Sequence, residues 1–154
     1  MANTYTQIYI HSVFSPMRRD CLIHPQWEEL LYKYITGIVQ NNDHKMLAIN
    51  GMPDHIHILV GMKPTQSVSE LIRDVKANTS RWINENRLVK DSFQWQEGFG
   101  AFSYGHSQLD AIIPYINNQK QHHQKRTFKE EYLGFLKKFE VEFKDEYVFN
   151  FFQD

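Results

Sequence analysis

The sequence holds a single cysteine, Cys21, among its 154 residues. One cysteine forms neither an internal disulfide nor a multi-cysteine metal site. No stretch approaches the ~18 consecutive apolar residues that a membrane helix needs, and the first residues lack the basic-then-apolar pattern of a signal peptide. We therefore expect a cytoplasmic protein without a membrane partner.

The sequence also lacks an excess of charge of either sign. Lys and Arg number 17 and Asp and Glu number 18, so the formal net charge is -1. This balance argues against a protein that holds nucleic acid mainly through bulk electrostatic attraction. The segment 128–154 is acidic, with 4 Lys and Arg against 7 Asp and Glu, and we expect it to face solvent.

Internal repeats and linkers rich in glycine and serine are missing as well, so we expect one domain over residues 1–154. A hydrophobic content of 42% is enough for a core and excludes a disordered chain. Alternating and helical apolar patterns predict strands at 4–14, 45–50, 55–62 and 95–104 and helices at 25–41, 68–83, 107–124 and 127–139. The order β-α-β-β-α-β is typical of a ferredoxin-like or RRM-like α+β fold, an antiparallel sheet with helices on one face, here followed by C-terminal helices.

Two histidines, His55 and His57, stand two positions apart on the third predicted strand. Side chains at i and i+2 of a strand point to the same face, while Ile56 and Ile58 point to the other. Two converging imidazoles make half of a metal site. A chance pair is the competing interpretation, because the chain has 8 histidines.

A second candidate is the stripe formed by Tyr115, Gln119 and His122 on one helical face. A tyrosine phenol, with an unperturbed pKa of ~10, attacks a phosphate only where something stabilises the phenolate. The alternative is an amphipathic tyrosine at the edge of the core. Pro114 lies inside this helix and predicts a kink or restart just before Tyr115, which would make the tyrosine segment a separable unit.

A third candidate is a ridge of basic and hydroxyl side chains on the predicted helix 68–83. Its interpretations are a surface that contacts phosphates and an ordinary solvated helix face. The ridge comprises Ser69, Arg73, Lys76 and Ser80.

His122 and His123 are adjacent on a helix and point in different directions, so we assign them no role.

Together these segments resemble one family, the single-tyrosine HUH transposases of the insertion sequence 200/605 group. HUH denotes two histidines separated by a hydrophobic residue. The resemblance runs in order from about Tyr5 to Phe149 and is carried by 52–60 (MPDHIHILV), the helix 69–82 with Lys76 and Ser80, 95–103 (WQEGFGAFS), and 115–119 (YINNQ) with His122 and His123 after it.

The resemblance implies that His55, His57 and Gln119 bind a divalent metal, Mg²⁺ or Mn²⁺. It implies that Tyr115 attacks a single-stranded DNA phosphodiester and forms a 5′-phosphotyrosine link with a free 3′-OH, as a step of DNA transposition. Arg73, Lys76 and Ser80 would bind the nucleic acid. The expected partner is single-stranded DNA that contains a hairpin at the end of the insertion sequence. The family also implies a homodimer with active sites completed in trans.

Two other functions stay open at this stage. One is a non-catalytic ferredoxin-like protein that binds single-stranded nucleic acid through exposed aromatic rings. The other is a His-ligated metallohydrolase that uses water, in which Tyr115 is only structural. Tyr115→Phe separates the three, because a transposase loses strand cleavage, a hydrolase keeps it, and a binder never has it.

Overall fold

A four-stranded antiparallel sheet forms the centre of the molecule. The computed structural model describes residues 3–17 and 22–144. The strands are β1 (Tyr9–Phe14), β2 (Lys45–Met52), β3 (His55–Gly61) and β4 (Gly100–Tyr104), in the order β2-β3-β1-β4. This order, with β1 and β3 side by side at the centre, confirms the ferredoxin-like α+β fold. Cys21, the ends of the predicted domain and the end of the resemblance at Phe149 lie outside the described residues.

Two helices, α1 (Glu28–Asn41) and α2 (Val68–Glu85), cover one face of the sheet. The even-numbered side chains of β3, from Ile56 to Val60, meet the apolar stripes of both helices in one buried cluster. Helix α2 begins where the sequence predicts, because the Ser67 side chain accepts a hydrogen bond from the backbone N–H of Glu70.

The opposite face is covered by the C-terminal helices α3 (Leu109–Asn117), α4 (Gln119–His122) and α5 (Phe128–Lys138). A second buried cluster joins Leu59 of β3 and Phe102 of β4 to Ile116 of α3 and Phe135 of α5. The sheet therefore lies between two helical layers, and the odd-numbered residues of β3 face the C-terminal layer. The acidic segment packs here through α5, so the expectation that it faces solvent is wrong for this helix.

The helix that carries the candidate tyrosine breaks later than the sequence predicts. Helix α3 continues through Pro114, and the interruption falls at Asn118, between α3 and α4. Pro114 is exposed, and the backbone N–H of Asn118 still donates to its carbonyl at 3.0 Å. The prediction of a restart just before Tyr115 is therefore wrong, and Tyr115 lies inside a continuous helix.

None of the helices in the described ranges has both the length and the apolar character that a bilayer crossing requires.

Candidate functional site

The two strand histidines project from β3 into the space between the sheet and the C-terminal helices. His55 and His57 are both fully buried, and their ring centroids lie 5.1 Å apart. The tight β2–β3 hairpin just before them sets the register, with His55 opposite Met52 and His57 opposite Asn50. The two imidazoles therefore point to the same face of the strand, as the sequence predicts.

Gln119 and Glu131 bring two buried oxygen groups to the histidines. The Gln119 Oε1 atom lies 3.0 Å from His55 Nε2, and Glu131 Oε1 lies 2.9 Å from His57 Nε2. The amide of Gln119 also donates to Glu131 Oε2 at 3.0 Å. These four side chains from β3, α4 and α5 meet in one cluster.

Tyr115 reaches the same cluster from α3. Its hydroxyl donates a short hydrogen bond to Glu131 Oε2, and its ring centroid lies 6.4 Å from that of His57. Glu131 therefore joins the candidate nucleophile to the candidate metal ligands through its two oxygens. All of these groups belong to one chain.

The electrostatics of the cluster follow from its burial. Burial lowers the pKa of His57 to about 4, against the opposing effect of Glu131, so this imidazole is neutral near pH 7. Burial raises the pKa of Tyr115 well above its ordinary value, and the hydrogen bond and charge of Glu131 raise it further. Burial also raises the pKa of Glu131, but hydrogen bonds from His123 and His57 outweigh it and leave the pKa far below the usual range. The site thus holds a carboxylate, neutral His57 and a protonated phenol.

A buried histidine of β1 lies behind His57. His11 Nε2 is 2.7 Å from His57 Nδ1, and the two rings stack at 5.0 Å. When His57 Nε2 carries the proton, it donates to Glu131 and His11 donates to Nδ1. A ligand on Nε2 requires the other tautomer, in which Nδ1–H of His57 donates to His11. His11 can therefore pair with either tautomer of His57, as donor to Nδ1 or as acceptor from it.

His122 and His123 both lie against the cluster, from different sides. His123 Nε2 lies 3.1 Å from Gln119 Oε1 and 3.2 Å from Glu131 Oε1. The His122 ring packs on Tyr115 with centroids 4.4 Å apart. The two adjacent residues do point in different directions, and each direction leads to a site group.

The donor atoms fit a divalent cation. One ligand atom each of His55, His57 and Glu131 lie within 4.8 Å of one another, and Gln119 adds an amide oxygen beside them. Neutral imidazole nitrogens and carboxylate and amide oxygens together suit Mn²⁺ and Mg²⁺. This buried His-His-Glu group could hold a divalent metal ion.

The predicted ridge on α2 does not join this cluster, because α2 covers the opposite face of the sheet. Arg73 is exposed. Lys76 Nζ donates to the carbonyl oxygens of Gln96 at 2.8 Å and Gly98 at 2.5 Å, and burial lowers its pKa to about 8. Lys76 thus holds the segment before β4, and Ser80 donates weakly to Ala77 within its own helix at 3.3 Å.

Glu131 and His11 are site residues that the sequence patterns did not predict. Glu131 stands among Phe128, Tyr132 and Phe135 on the apolar stripe of α5 and is 3% exposed. A carboxylate on the buried face of an amphipathic helix is the signal that would have found it. His11 has the equivalent signal, a histidine on the alternating strand pattern of β1.

Comparisons with known proteins identify the family and similar folds. Residues 4–119 match the family model described as "Transposase IS200 like". A Deinococcus radiodurans R1 protein assigned as a transposase has a similar structure, with a TM-score of 0.62, 18% identity, and coverage of 77% of this chain and 95% of that one. A REP-associated tyrosine transposase bound to a REP hairpin gives a TM-score of 0.60 at 14% identity, covering 80% of this chain and 73% of that one. No curated protein matches the sequence.

The family match identifies a transposase, an enzyme of DNA transposition. The chain belongs to the IS200-like transposase family, as the matched residues 4–119 span most of its length.

Proposed function

We propose that the protein cleaves and rejoins single-stranded DNA through a covalent link to Tyr115. The observation that carries this proposal is the hydrogen bond from the Tyr115 hydroxyl to Glu131, the same carboxylate that contacts His57. Glu131 thus holds the nucleophile Tyr115 close to the metal-binding group that includes His57. This arrangement suits attack by Tyr115 on a phosphate bound beside the metal.

In the proposed step, Tyr115 Oη forms a bond to the phosphorus and the bond from phosphorus to O3′ breaks. The leaving oxygen takes up a proton and becomes the free 3′-OH, and the downstream strand stays attached as a 5′-phosphotyrosine. Attack by a 3′-OH on this link reverses the step and joins strands. Glu131 is the group in position to receive the phenolic proton. The pKa of Tyr115 is raised and that of Glu131 is lowered, so the phenol is protonated before the reaction.

His55, His57, Gln119 and Glu131 are the residues proposed to hold the cation, Mg²⁺ or Mn²⁺. When bound, the cation would supply charge neutralisation and orientation to the scissile phosphate. The carboxylate of Glu131 makes this set more suitable for Mg²⁺ than two imidazoles and an amide alone.

The proposed substrate is single-stranded DNA with a hairpin, in the cytoplasm. The similar REP-associated transposase was solved with a REP hairpin, and the net charge of -1 favours local contacts over bulk attraction to a duplex. Of the proposed ridge of Arg73, Lys76 and Ser80, Arg73 is the exposed cation. Arg73→Glu should weaken binding in a gel-shift titration, whereas the same charge reversal at Lys90 should not.

We also propose a homodimer in which the sites are completed in trans. The segment from Gly105 onward carries Tyr115, Gln119 and Glu131 together, and Gly105 marks its exit from β4. If two copies exchanged this whole segment, it would make with the sheet of the partner the same contacts that it makes here with its own sheet.

Comparison of Tyr115→Phe with Tyr34→Phe tests the proposal. Tyr34 is 37% exposed on α1, so its variant controls for loss of a phenol elsewhere. We expect Tyr34→Phe to cleave hairpin oligonucleotides with Mn²⁺ and Tyr115→Phe to cleave none. Cleavage retained by Tyr115→Phe would favour the water-using hydrolase, and no cleavage by the unmodified protein on a pool with randomised unpaired positions would favour the non-catalytic binder.

A further inference from the structure

A cavity of about 490 Å³ opens beside the site. Tyr115 and Glu131 form part of its wall, so it adjoins the hydroxyl that the proposed reaction uses. Its remaining wall comes from the turn after β4, the outer side of α3, and α5. Clefts that enclose small ligands have volumes of ~300–1,000 Å³, so this one has room for a group of nucleotide size.

The chemistry of the wall is mixed in a way that suits a nucleotide. Arg126 and Lys138 are exposed cations at the cavity, and the charge of Arg126 acts on Tyr115. Ile112 and Phe135 supply buried apolar surface. A phosphate would pair with the cations. The faces of an unpaired base would pack on the apolar side chains.

Tyr104 adds a hydroxyl group that has no hydrogen-bond partner among the described residues. The residue is 8% exposed, lines the cavity, and its buried hydroxyl makes no hydrogen bond. A buried hydroxyl without a partner is costly, so a ligand in the cavity that supplied a partner would gain a hydrogen bond here. The ring edge of an extruded base, which carries donors and acceptors, is such a partner.

Gly134 on the same wall points to the same conclusion. It lies inside α5, where glycine is less favourable than alanine because it loses more conformational freedom on folding. A Cβ at this position would come 3.0 Å from the Arg126 guanidinium. Gly37 of α1 is also inside a helix, but a Cβ there would meet nothing within 4 Å. A side chain at position 134 would therefore crowd the Arg126 guanidinium, which lines the same cavity.

We infer that this cavity binds one unpaired nucleotide of the DNA strand next to the scissile phosphate. Its base lies against Ile112 and Phe135 on the side of Tyr104, and its phosphate lies at Arg126. The inference rests on the proposed single-strand chemistry. A base engaged in a duplex cannot enter the cavity, so the site would also select for unpaired DNA.

Nucleotide binding can be tested without metal and without cleavage. The protein carries Tyr115→Phe to prevent reaction, and the ¹³C methyl signals of its isoleucines are followed by NMR, with the Ile112 signal assigned through Ile112→Val. The probes are the four deoxynucleoside 5′-monophosphates, with the corresponding nucleosides and inorganic phosphate as partial ligands. We expect at least one monophosphate to shift the Ile112 signal to saturation, and the partial ligands to bind about tenfold or more weakly.

The matched variants are Gly134→Leu and Gly37→Leu, each placing leucine inside a helix. We expect Gly134→Leu to weaken nucleotide binding about tenfold or more and Gly37→Leu to leave it unchanged. If Gly134→Leu does not fold, Tyr104→Phe against Tyr5→Phe makes the same comparison by removing one hydroxyl.

Three results would overturn the inference: no saturable shift with any monophosphate, equal binding of phosphate alone, or equal nucleotide affinity in the variant and its control. Because the assay needs neither metal nor Tyr115, its failure leaves the proposed cleavage untouched. Conversely, a protein that binds nucleotides here but never cleaves DNA would contradict only the proposed function.

Discussion

At the scale of single residues, Glu131 connects the parts of the site. One of its oxygens lies near His57 and His123 and the other accepts from Tyr115 and Gln119. A buried carboxylate is stable only when such partners compensate for its lost hydration. Removing its charge therefore changes the metal site and the nucleophile at once.

Glu131→Gln should lower the affinity for Mn²⁺ about tenfold or more, because a neutral amide replaces the anionic oxygen of the donor set. The measurement is calorimetric titration of the metal-free protein. Glu142→Gln, an exposed carboxylate of the same C-terminal segment, is the control. Equal Mn²⁺ affinity in both variants would exclude Glu131 as a ligand.

His11 acts on the metal site through His57 and not directly. His11→Leu removes the group that accepts the Nδ1 proton when Nε2 of His57 binds a cation, so we expect Mn²⁺ affinity to fall about tenfold. His44→Leu is the matched control, because His44 is 5% exposed and its Nε2 bonds Gln66 at 2.8 Å. Equal Mn²⁺ affinity in His11→Leu and His44→Leu would show that His11 does not orient His57.

At the scale of elements, the β2–β3 hairpin sets the position of the histidine pair. A Cβ on Gly51 would lie 2.2 Å from the carbonyl oxygen of His55, closer than any side chain tolerates. A Cβ on Gly61, at the far end of β3, would meet its nearest atom at 3.7 Å. The close approach at Gly51 lets the strand carry His55 directly out of a tight turn.

Gly51→Ala should therefore lower the free energy of unfolding by about 1–3 kcal/mol, since the backbone of the hairpin must shift to admit the methyl group. Urea denaturation measures this change, with Gly61→Ala as the control that has ordinary contacts. A loss in Gly51→Ala no greater than that in Gly61→Ala would show that the hairpin accommodates a side chain.

The elements also show where sequence patterns are sufficient. The i, i+2 spacing of His55 and His57 predicts their common face, and the cap at Ser67 predicts the start of α2, because both depend on residues close in the chain. Glu131 bonds a histidine 74 positions away, and no local pattern gives that pairing. The break falls at Asn118, between α3 and α4, and not at Pro114, the residue on which the local pattern places it.

At the scale of the whole molecule, the question is whether one chain or two complete each site. Ile112 and Ile116 of α3 are buried on the chain's own sheet, and Lys120 Nζ ties α4 to the carbonyl of Gly51 at 2.5 Å. An arrangement in trans needs the segment after Gly105 to make these contacts with a second copy.

The prediction of sites in trans is tested by mixing Tyr115→Phe and His57→Ala proteins after partial denaturation, which allows subunits to exchange. In a heterodimer one composite site is intact, so we expect cleavage to return to a measurable fraction of that of the unmodified protein. Unmodified protein taken through the same treatment is the control. Heterodimers that form and stay inactive would show that each chain completes its own site.

The central claim is that Tyr115 becomes covalently attached to DNA, and a single labelling experiment tests it most directly. Single-stranded hairpin oligonucleotides with randomised unpaired positions carry different labels at their two ends and are incubated with the protein and Mn²⁺. We predict a denaturation-resistant adduct that retains the 3′ label, releases the 5′-labelled fragment with a free 3′-OH, and maps by mass spectrometry to the peptide containing Tyr115. Cleavage without any adduct, or an adduct on another residue, would contradict the account.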